Sequence, residues 1–154
     1  MDTESKLQLI KTHIRAFPDF PKEGILFRFC SDGGSVPGLD ARGFLFGPLL
    51  AQRLGLGFVL VRKKGKLPGP TVSVSYELEY GKSDAEVQED AVAAGQKVLI
   101  IDDLLATGGT MFAACELMRK LQAQVLGCMV VVELKDLNGV DRLKPHKVFS
   151  LIQY

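Results

Sequence analysis

The chain has 154 residues and a mass of 16.8 kDa, the size of one globular domain. Apolar residues make up 47% and charged residues 24%, which excludes a disordered chain. The 19 basic and 18 acidic residues leave a formal charge of +1, which argues against a protein that coats nucleic acid or an anionic membrane. Three cysteines without metal-ligand spacing, no secretory signal and no apolar run of membrane-spanning length predict a cytoplasmic protein without a membrane partner.

The N-terminal part of the sequence predicts a helix, a short strand and a loop. Leu7, Ile10, Ile14 and Phe17 recur at helical spacing, which predicts a helix over residues 4–17 that ends at Pro18. Residues 25–29 predict a short strand. Residues 29–37, rich in glycine and without periodicity, predict a loop.

The next segments alternate between helix and strand. Residues 38–54 predict a loop that becomes a helix with Leu45, Leu49 and Leu50 on its inward face. Residues 57–62 predict an apolar strand that runs into a basic cluster. Apolar and polar residues then alternate over residues 71–80, which predicts a half-exposed strand and one arm of a hairpin.

The C-terminal half carries the strongest pattern. Residues 97–103 predict a strand whose residues 98–101 form a continuous apolar run, typical of a parallel strand covered on both faces. A helix to about Ala123 follows, then strands over residues 125–132 and 147–151. This order predicts an α/β fold with a mostly parallel sheet, in which Cys115 and Cys128 are small buried apolar residues.

The segment VLIIDDLLATGGT, residues 98–110, indicates chemistry. A buried strand ends at Asp102 and Asp103, and a small glycine-containing turn then opens a helix. Ligands of open α/β sheets bind at the carboxyl ends of strands, and backbone N–H groups at a helix N-terminus suit a phosphate. The carboxylates would accept hydrogen bonds from sugar hydroxyls or hold Mg²⁺ through water. The alternative is that they only end a strand and that Thr107 caps the helix.

Residues 98–110 resemble the binding motif for 5-phosphoribosyl 1-pyrophosphate (PRPP) of type I phosphoribosyltransferases. Four further segments are similar, in the same order, to the adenine phosphoribosyltransferase family: FPDFPKEGILFR, GLDARGFLFGP, RKKGKLPGPT and YELEYGK. The resemblance implies a Rossmann-like, open, mostly parallel sheet in a single domain, with a shortened hood over residues 1–37 and a core over residues 38–154. It also implies conversion of adenine and PRPP to AMP and pyrophosphate with Mg²⁺, in a homodimer.

The resemblance also assigns roles to individual residues. For the ribose and 5′-phosphate of PRPP these are Asp102, Asp103, Ala106, Thr107, Gly108, Gly109 and Thr110. For pyrophosphate they are Asp40, Ala41, Arg42, Arg62 and Lys66. Glu79 matches the acid/base residue on a mobile loop, with Tyr80 beside it, and residues 66–82 would form the lid. Ile25, Arg28 and Leu134 match contacts to adenine.

Simpler interpretations of single residues stay open. Residues 62–66 taken alone suit a solvated basic face, and Tyr80 suits packing. Glu77 alternates onto the same strand face as Glu79 and would serve equally well as the catalytic carboxylate. Asp40 would also suit the N-cap of the following helix.

The sequence departs from the family between Arg28 and Gly38, where only nine residues replace a helix and a core strand. We expect the loss to leave an open ladder edge and an uncovered apolar face beside the phosphate site. The chain would repair the sheet with Val36 and its neighbours or with a partner subunit, fold poorly, or fold without catalysing. The alternative function is therefore a weakened or inactive homologue that binds nucleotide or a partner. A transferase for another purine is the third candidate.

Overall fold

The computed structural model describes residues 4–5, 14–18, 23, 27–30, 36–78 and 80–154. It contains a two-stranded and a seven-stranded sheet. The strands are β1 (Ile14–Phe17), β2 (Phe27–Cys30), β3 (Val36–Leu39), β4 (Phe58–Lys63), β5 (Thr71–Leu78), β6 (Gly81–Gln88), β7 (Lys97–Leu105), β8 (Gln124–Glu133) and β9 (Val148–Gln153). The helices are α1 (Gly47–Leu54), α2 (Gly109–Lys120) and α3 (Gly139–Leu143), with 3-10 turns at Arg42–Leu45 and Lys135–Leu137.

The main sheet has the strand order β5-β6-β4-β3-β7-β8-β9. Five neighbouring strands, β4, β3, β7, β8 and β9, run parallel to one another. Strand β6 is antiparallel to both of its neighbours, β4 and β5. This confirms the predicted α/β class with a mostly parallel sheet. Parallel strands bring their carboxyl ends to one edge, and the loops after β3, β4, β7 and β8 therefore lie together.

The two faces of the sheet are covered by different helices. Ile100, Cys128 and Leu117 of α2 belong to the larger buried cluster, and Ile101 packs with Ala51 of α1 in a smaller one. Neighbouring residues of a strand point to opposite faces, so α2 and α1 lie on opposite sides of β7. Cys115 and Cys128 are buried free thiols with sulfur atoms 3.6 Å apart, as the sequence predicted.

Strand β3 occupies the position of the core strand that the short interval between Arg28 and Gly38 was expected to lack. Val36–Leu39 is buried throughout and pairs with β4 over four residues. It meets β7 through a single pair, Gly38 with Ile101. Of the expected outcomes, repair of the sheet by Val36 and its neighbours is therefore the one observed, and the expected open ladder edge beside β7 does not occur.

Two local predictions were wrong. Residues 14–17 form strand β1 rather than the end of a helix, because they pair in register with β2 and because Phe17 precedes a proline, a position that disfavours helical backbone. Leu45 and Leu49 are 66% and 63% exposed rather than inward, and only Leu50 packs into the core. Helix α1 starts at Gly47, after Leu45. Its buried side is formed by Gly47 and Ala51, so Leu49 does not face the core.

Most of the segment predicted as a lid lies in a β-hairpin. Strands β5 and β6 pair along their whole length, from Thr71 opposite Gln88 to Leu78 opposite Gly81. The alternating pattern correctly predicted this arm. No helix among the described residues is long and apolar enough to cross a membrane.

Candidate active site

A cleft of about 600 Å³ opens at the carboxyl ends of the parallel strands. Every residue assigned to the ribose, the phosphate or pyrophosphate lines it. From the β3 and β4 side come Asp40, Ala41, Arg42, Arg62 and Lys66, and from the β7 side come Asp102, Asp103, Ala106, Thr107, Gly108, Gly109 and Thr110. Residues up to 70 positions apart in sequence therefore meet in one site.

The turn after β7 has the shape that a phosphate site needs. Gly108 has a left-handed backbone with φ of 85° and is the N-cap of α2, so the free N–H groups of this helix open into the cleft. A Cβ at Gly108 would lie 2.8 Å from the carbonyl oxygen of Gly139, at the start of α3. The N-cap position is held by Gly108 and not by Thr107, and no side-chain hydrogen bond caps this helix end.

The loop after β3 closes tightly over the end of β7. A Cβ at Gly43 would lie 2.9 Å from the carbonyl oxygen of Ile101 and 3.2 Å from Oδ1 of Asp102. Only glycine allows this approach, which sets Arg42 beside the two carboxylates. Gly43 was not predicted as a site residue, although it directly follows Arg42 in the sequence.

An ion pair joins the two sides of the cleft. Nε of Arg42 donates a hydrogen bond to Oδ2 of Asp103. This contact raises the pKa of the Arg42 guanidinium above its ordinary value, first through the hydrogen bond and then through the charge of Asp103. Arg42, assigned to pyrophosphate, and Asp103, assigned to ribose, thus neutralise one another.

The carboxyl group of Asp102 has a raised pKa. Burial raises its pKa to about 7, and the Asp103 carboxylate acts in the same direction. The backbone N–H of Asp103 donates to Oδ1 of Asp102 over 2.8 Å and partly offsets this.

The second arginine is held rather than solvated. Nε of Arg62 lies 3.0 Å from Oδ2 of Asp40, and the two side chains are 33% and 17% exposed. The 3-10 turn that follows has Ala41 as its N-cap and no side-chain cap, so the capping role for Asp40 is wrong. The fully solvated basic face is also wrong at Arg62.

Two buried side chains of β6 hold the segment that carries Lys66. Oε1 of Glu86 accepts hydrogen bonds from the backbone N–H groups of Lys66 and Leu67, over 2.9 and 2.8 Å. Nε2 of Gln88 donates to the carbonyl of Pro68 over 2.9 Å. Both residues are buried, and the sequence analysis missed them because each looks like an ordinary polar strand residue.

Two of the residues assigned to catalysis and adenine, Tyr80 and Leu134, do not line this cleft. Glu79 and Ile25 lie outside the described residues. Tyr80, at the tip of the β5–β6 hairpin, is 97% exposed. Arg28 lies in β2 of the small sheet, and Leu134 follows β8, where its N–H donates to the carbonyl of Leu105 over 2.9 Å.

Comparison with known proteins decides the family. The sequence model of the phosphoribosyl transferase domain matches residues 35–153. The adenine phosphoribosyltransferases of rat and human are 53% and 52% identical to this chain, with at least 98% of each chain covered. The chain belongs to the adenine phosphoribosyltransferase family. It is therefore a member of a family of transferases.

Solved structures of this family share the fold. The adenine phosphoribosyltransferase of Thermoanaerobacter pseudethanolicus is 42% identical, with a TM-score of 0.77, and covers 96% of this chain and 99% of its own. The Saccharomyces cerevisiae protein, solved in complex with adenine and an imino-altritol bisphosphate, is 39% identical with a TM-score of 0.75 and the same coverage. The type I phosphoribosyltransferase architecture predicted from the sequence is thus confirmed.

The shortening relative to family members is internal. The alignment with the rat protein spans 178 positions and 99% of both chains, whereas this chain has 154 residues. At least 24 aligned positions therefore have no residue of this chain opposite them. This agrees with the loss of an internal segment. The shorter chain nevertheless still supplies strand β3 of the sheet.

Proposed function

We propose that this chain transfers the 5-phosphoribosyl group of PRPP to adenine and releases AMP and pyrophosphate. The observation that carries the proposal is the convergence of two carboxylates, a phosphate-type helix N-terminus and three basic side chains on one cleft. Adenine phosphoribosyltransferases with at least 52% identity support adenine rather than another purine as the acceptor.

Each group has a distinct task in this reaction. The N–H groups at the start of α2 bind the 5′-phosphate, and Asp102 and Asp103 accept hydrogen bonds from the ribose hydroxyls. Cleavage of the bond between C1 and pyrophosphate leaves positive charge on the ribose and negative charge on the leaving group. Arg42, Arg62 and Lys66 stabilise the leaving pyrophosphate.

Substrate binding requires the ion pairs of the cleft to exchange partners. Arg42 releases Asp103 and Arg62 turns from Asp40 as pyrophosphate oxygens replace the carboxylates. Asp103 is then free for the ribose. The same charges that neutralise one another in the free protein are thereby redistributed over PRPP.

The resemblance supplies the remaining roles. Glu79 takes or returns the proton of adenine as N9 attacks C1, and Tyr80 covers the ligand when the hairpin tip closes. Ile25, Arg28 and Leu134 contact the base. Glu77 lines a different, smaller cavity with Lys82 and Arg142, which favours Glu79 over Glu77 for catalysis.

We also infer that Mg²⁺ is the cofactor and that the protein acts as a cytoplasmic homodimer. Oxygen donors at Asp102 and Asp103 suit a hard cation held through water, and the described residues contain no cluster of three or more ligands that would form a protein cage. When bound, Mg²⁺ neutralises charge on pyrophosphate. The free thiols of Cys115 and Cys128 are consistent with a reducing compartment.

A direct assay tests the proposal. Purified protein with PRPP, Mg²⁺ and radiolabelled adenine should form AMP, with hypoxanthine and guanine as competing acceptors. Asp103→Asn is the control that removes a ribose contact while keeping shape. If circular dichroism reports a folded protein that binds PRPP but forms no nucleotide, the alternative of an inactive nucleotide-binding homologue replaces the proposal.

A further inference from the structure

Arg142 lies directly behind the turn that forms the phosphate site. It belongs to α3, whose first residue, Gly139, packs its backbone against Gly108. Nη1 of Arg142 is 3.4 Å from the position that a Cβ of Gly109 would occupy. Arg142 does not line the main cleft and instead borders a separate cavity of about 180 Å³, which shares no lining residue with the cleft. Its charge is therefore separated from the phosphate site only by the backbone of the turn.

The Arg142 guanidinium contacts an aromatic ring but has no carboxylate partner among the described residues. Its Cζ lies 5.5 Å from the centre of the Phe112 ring, on α2. The neighbouring carboxylate of Asp141 pairs with Lys144 over 2.7 Å. Among the described residues, no carboxylate lies within salt-bridge distance of Arg142.

The other groups around this cavity add little net charge. Glu77 and Lys82 face one another across the hairpin and both border the cavity, together with Ser75 and Tyr76. One carboxylate and one ammonium offset each other. The positive charge of Arg142 is left to act on the start of α2, where the helix dipole is also positive.

We propose that Arg142 is a positioning residue that strengthens binding of the 5′-phosphate of PRPP through the turn, without touching it. The stack on Phe112 fixes the guanidinium, and Gly109 lets it approach the backbone that binds the phosphate. This inference rests on the proposed function, since it assumes a sugar phosphate at the turn. The resemblance to the family assigns no role to this position.

The expected effect is modest and depends on salt. A charge a few ångströms behind the backbone, in an exposed side chain, should change affinity by about three- to tenfold at low ionic strength. Added salt should screen most of this effect. Lys retains the charge and should rescue binding, whereas a residue needed only for packing would not be replaced by Lys.

Calorimetric titration of ribose 5-phosphate into the full chain tests the inference. Arg142→Gln should bind about three- to tenfold more weakly than the wild type at ~20 mM salt and nearly equally at ~0.5 M salt. Arg142→Lys should stay within about twofold of the wild type at both concentrations. The matched control is Arg119→Gln, which removes the same charge at the far, solvent-exposed end of α2 and should leave binding unchanged.

The outcomes separate the two proposals. If the wild type does not bind ribose 5-phosphate at all, the proposed function fails, and this inference with it. If the wild type binds and Arg142→Gln binds equally at low salt, only the role of Arg142 is overturned. A loss that persists at high salt and appears in Arg142→Lys as well would assign the residue to packing and also overturn the inference.

Discussion

Single residues at the end of β7 have separate electrostatic environments although they are adjacent in sequence. Asp103 is paired with Arg42 across the cleft, while Asp102 is mostly buried and has a pKa of about 7. The pattern DD predicts carboxylates at a strand end but not which of them is paired. That difference follows from the loop after β3, which is far away in sequence.

The Arg42–Asp103 ion pair predicts that one substitution, Asp103→Asn, changes the affinities for two ligands in opposite directions. Asp103→Asn should weaken ribose 5-phosphate binding by about tenfold, since a charged hydrogen-bond acceptor is lost. The same change should strengthen pyrophosphate binding without Mg²⁺ by about two- to fivefold, because Arg42 is released from its internal partner. Calorimetry with each ligand measures both effects.

Thr107→Ala is the matched control for this prediction. It should weaken ribose 5-phosphate binding and leave pyrophosphate binding unchanged, because Thr107 is assigned only to the phosphate. Equal weakening of both ligands in Asp103→Asn would mean that the ion pair does not compete with substrate.

The raised pKa of Asp102 predicts how stability depends on pH. Between about pH 4 and pH 7 the unfolded carboxyl group is ionised while the folded one retains its proton, so the free energy of unfolding should fall as pH rises through this range. Asp102→Asn removes this term, which amounts to roughly 2–4 kcal/mol. Urea unfolding of both proteins at pH 5 and pH 8 measures it. Identical pH dependence in the two proteins would contradict the buried, protonated state of Asp102.

The catalytic carboxylate is tested by a matched pair. Glu79→Gln should lower kcat by about 10²-fold or more with little change in KM, because general acid/base catalysis contributes about 10²–10⁴-fold. Glu77→Gln changes the same chemistry two residues away and should leave kcat within about twofold. Steady-state kinetics with adenine decides between them, and a larger loss in Glu77→Gln would exchange their roles.

At the scale of elements, β3 is the part of the fold on which the shortened chain depends. Val36 and Asp40 donate their backbone N–H groups to β4, to the carbonyls of Gly57 and Val61. Residues alternate in a parallel strand, so Pro37 faces β7, where it has no N–H to donate. This accounts for the single residue pair between β3 and β7.

Replacing this proline should therefore stabilise the protein. Pro37→Val restores a donor toward β7 and is expected to raise the free energy of unfolding by about 1 kcal/mol. The control is Pro48→Val, in the first turn of α1, where proline is favourable and its loss should not stabilise. Urea denaturation compares the variants. A destabilised Pro37→Val with an unchanged Pro48→Val would show that β7 cannot use the added donor.

The sequence predicted elements well where burial itself set the pattern. The apolar run of β7, the strand β5 and the helix α2 that follows β7 all appear as expected. It failed where tertiary contacts decided, as at residues 14–17, which pair with β2, and at Leu45 and Leu49. Among the site residues, motifs located the turn and the carboxylates, whereas Glu86 and Gly43 depend on contacts with distant backbone.

At the scale of the whole molecule, the shortened chain closes its sheet but leaves apolar surface on its outer strand. Phe149 and Leu151 of β9 are 56% and 74% exposed, on the face opposite to α2. The smaller cluster under α1 reaches only as far as Met129 of β8. The sequence predicted an uncovered apolar face beside the phosphate site. Leu78, which lines the cleft, is 49% exposed, and the exposed apolar residues of β9 add a second apolar surface at the far edge of the sheet.

This surface should limit solubility rather than stability. Leu151→Ser should lower binding of an apolar dye and raise the concentration at which the protein aggregates, because an exposed apolar edge strand favours association. The free energy of unfolding should change by less than about 0.5 kcal/mol, since the side chain is already mostly in water. Leu143→Ser is the control, because this leucine is 1% exposed and its loss should cost about 2–5 kcal/mol. Dye fluorescence, light scattering and urea denaturation of the wild type and the two variants measure these effects. A loss of stability in Leu151→Ser comparable to that in Leu143→Ser would mean that the outer face of β9 is covered in solution.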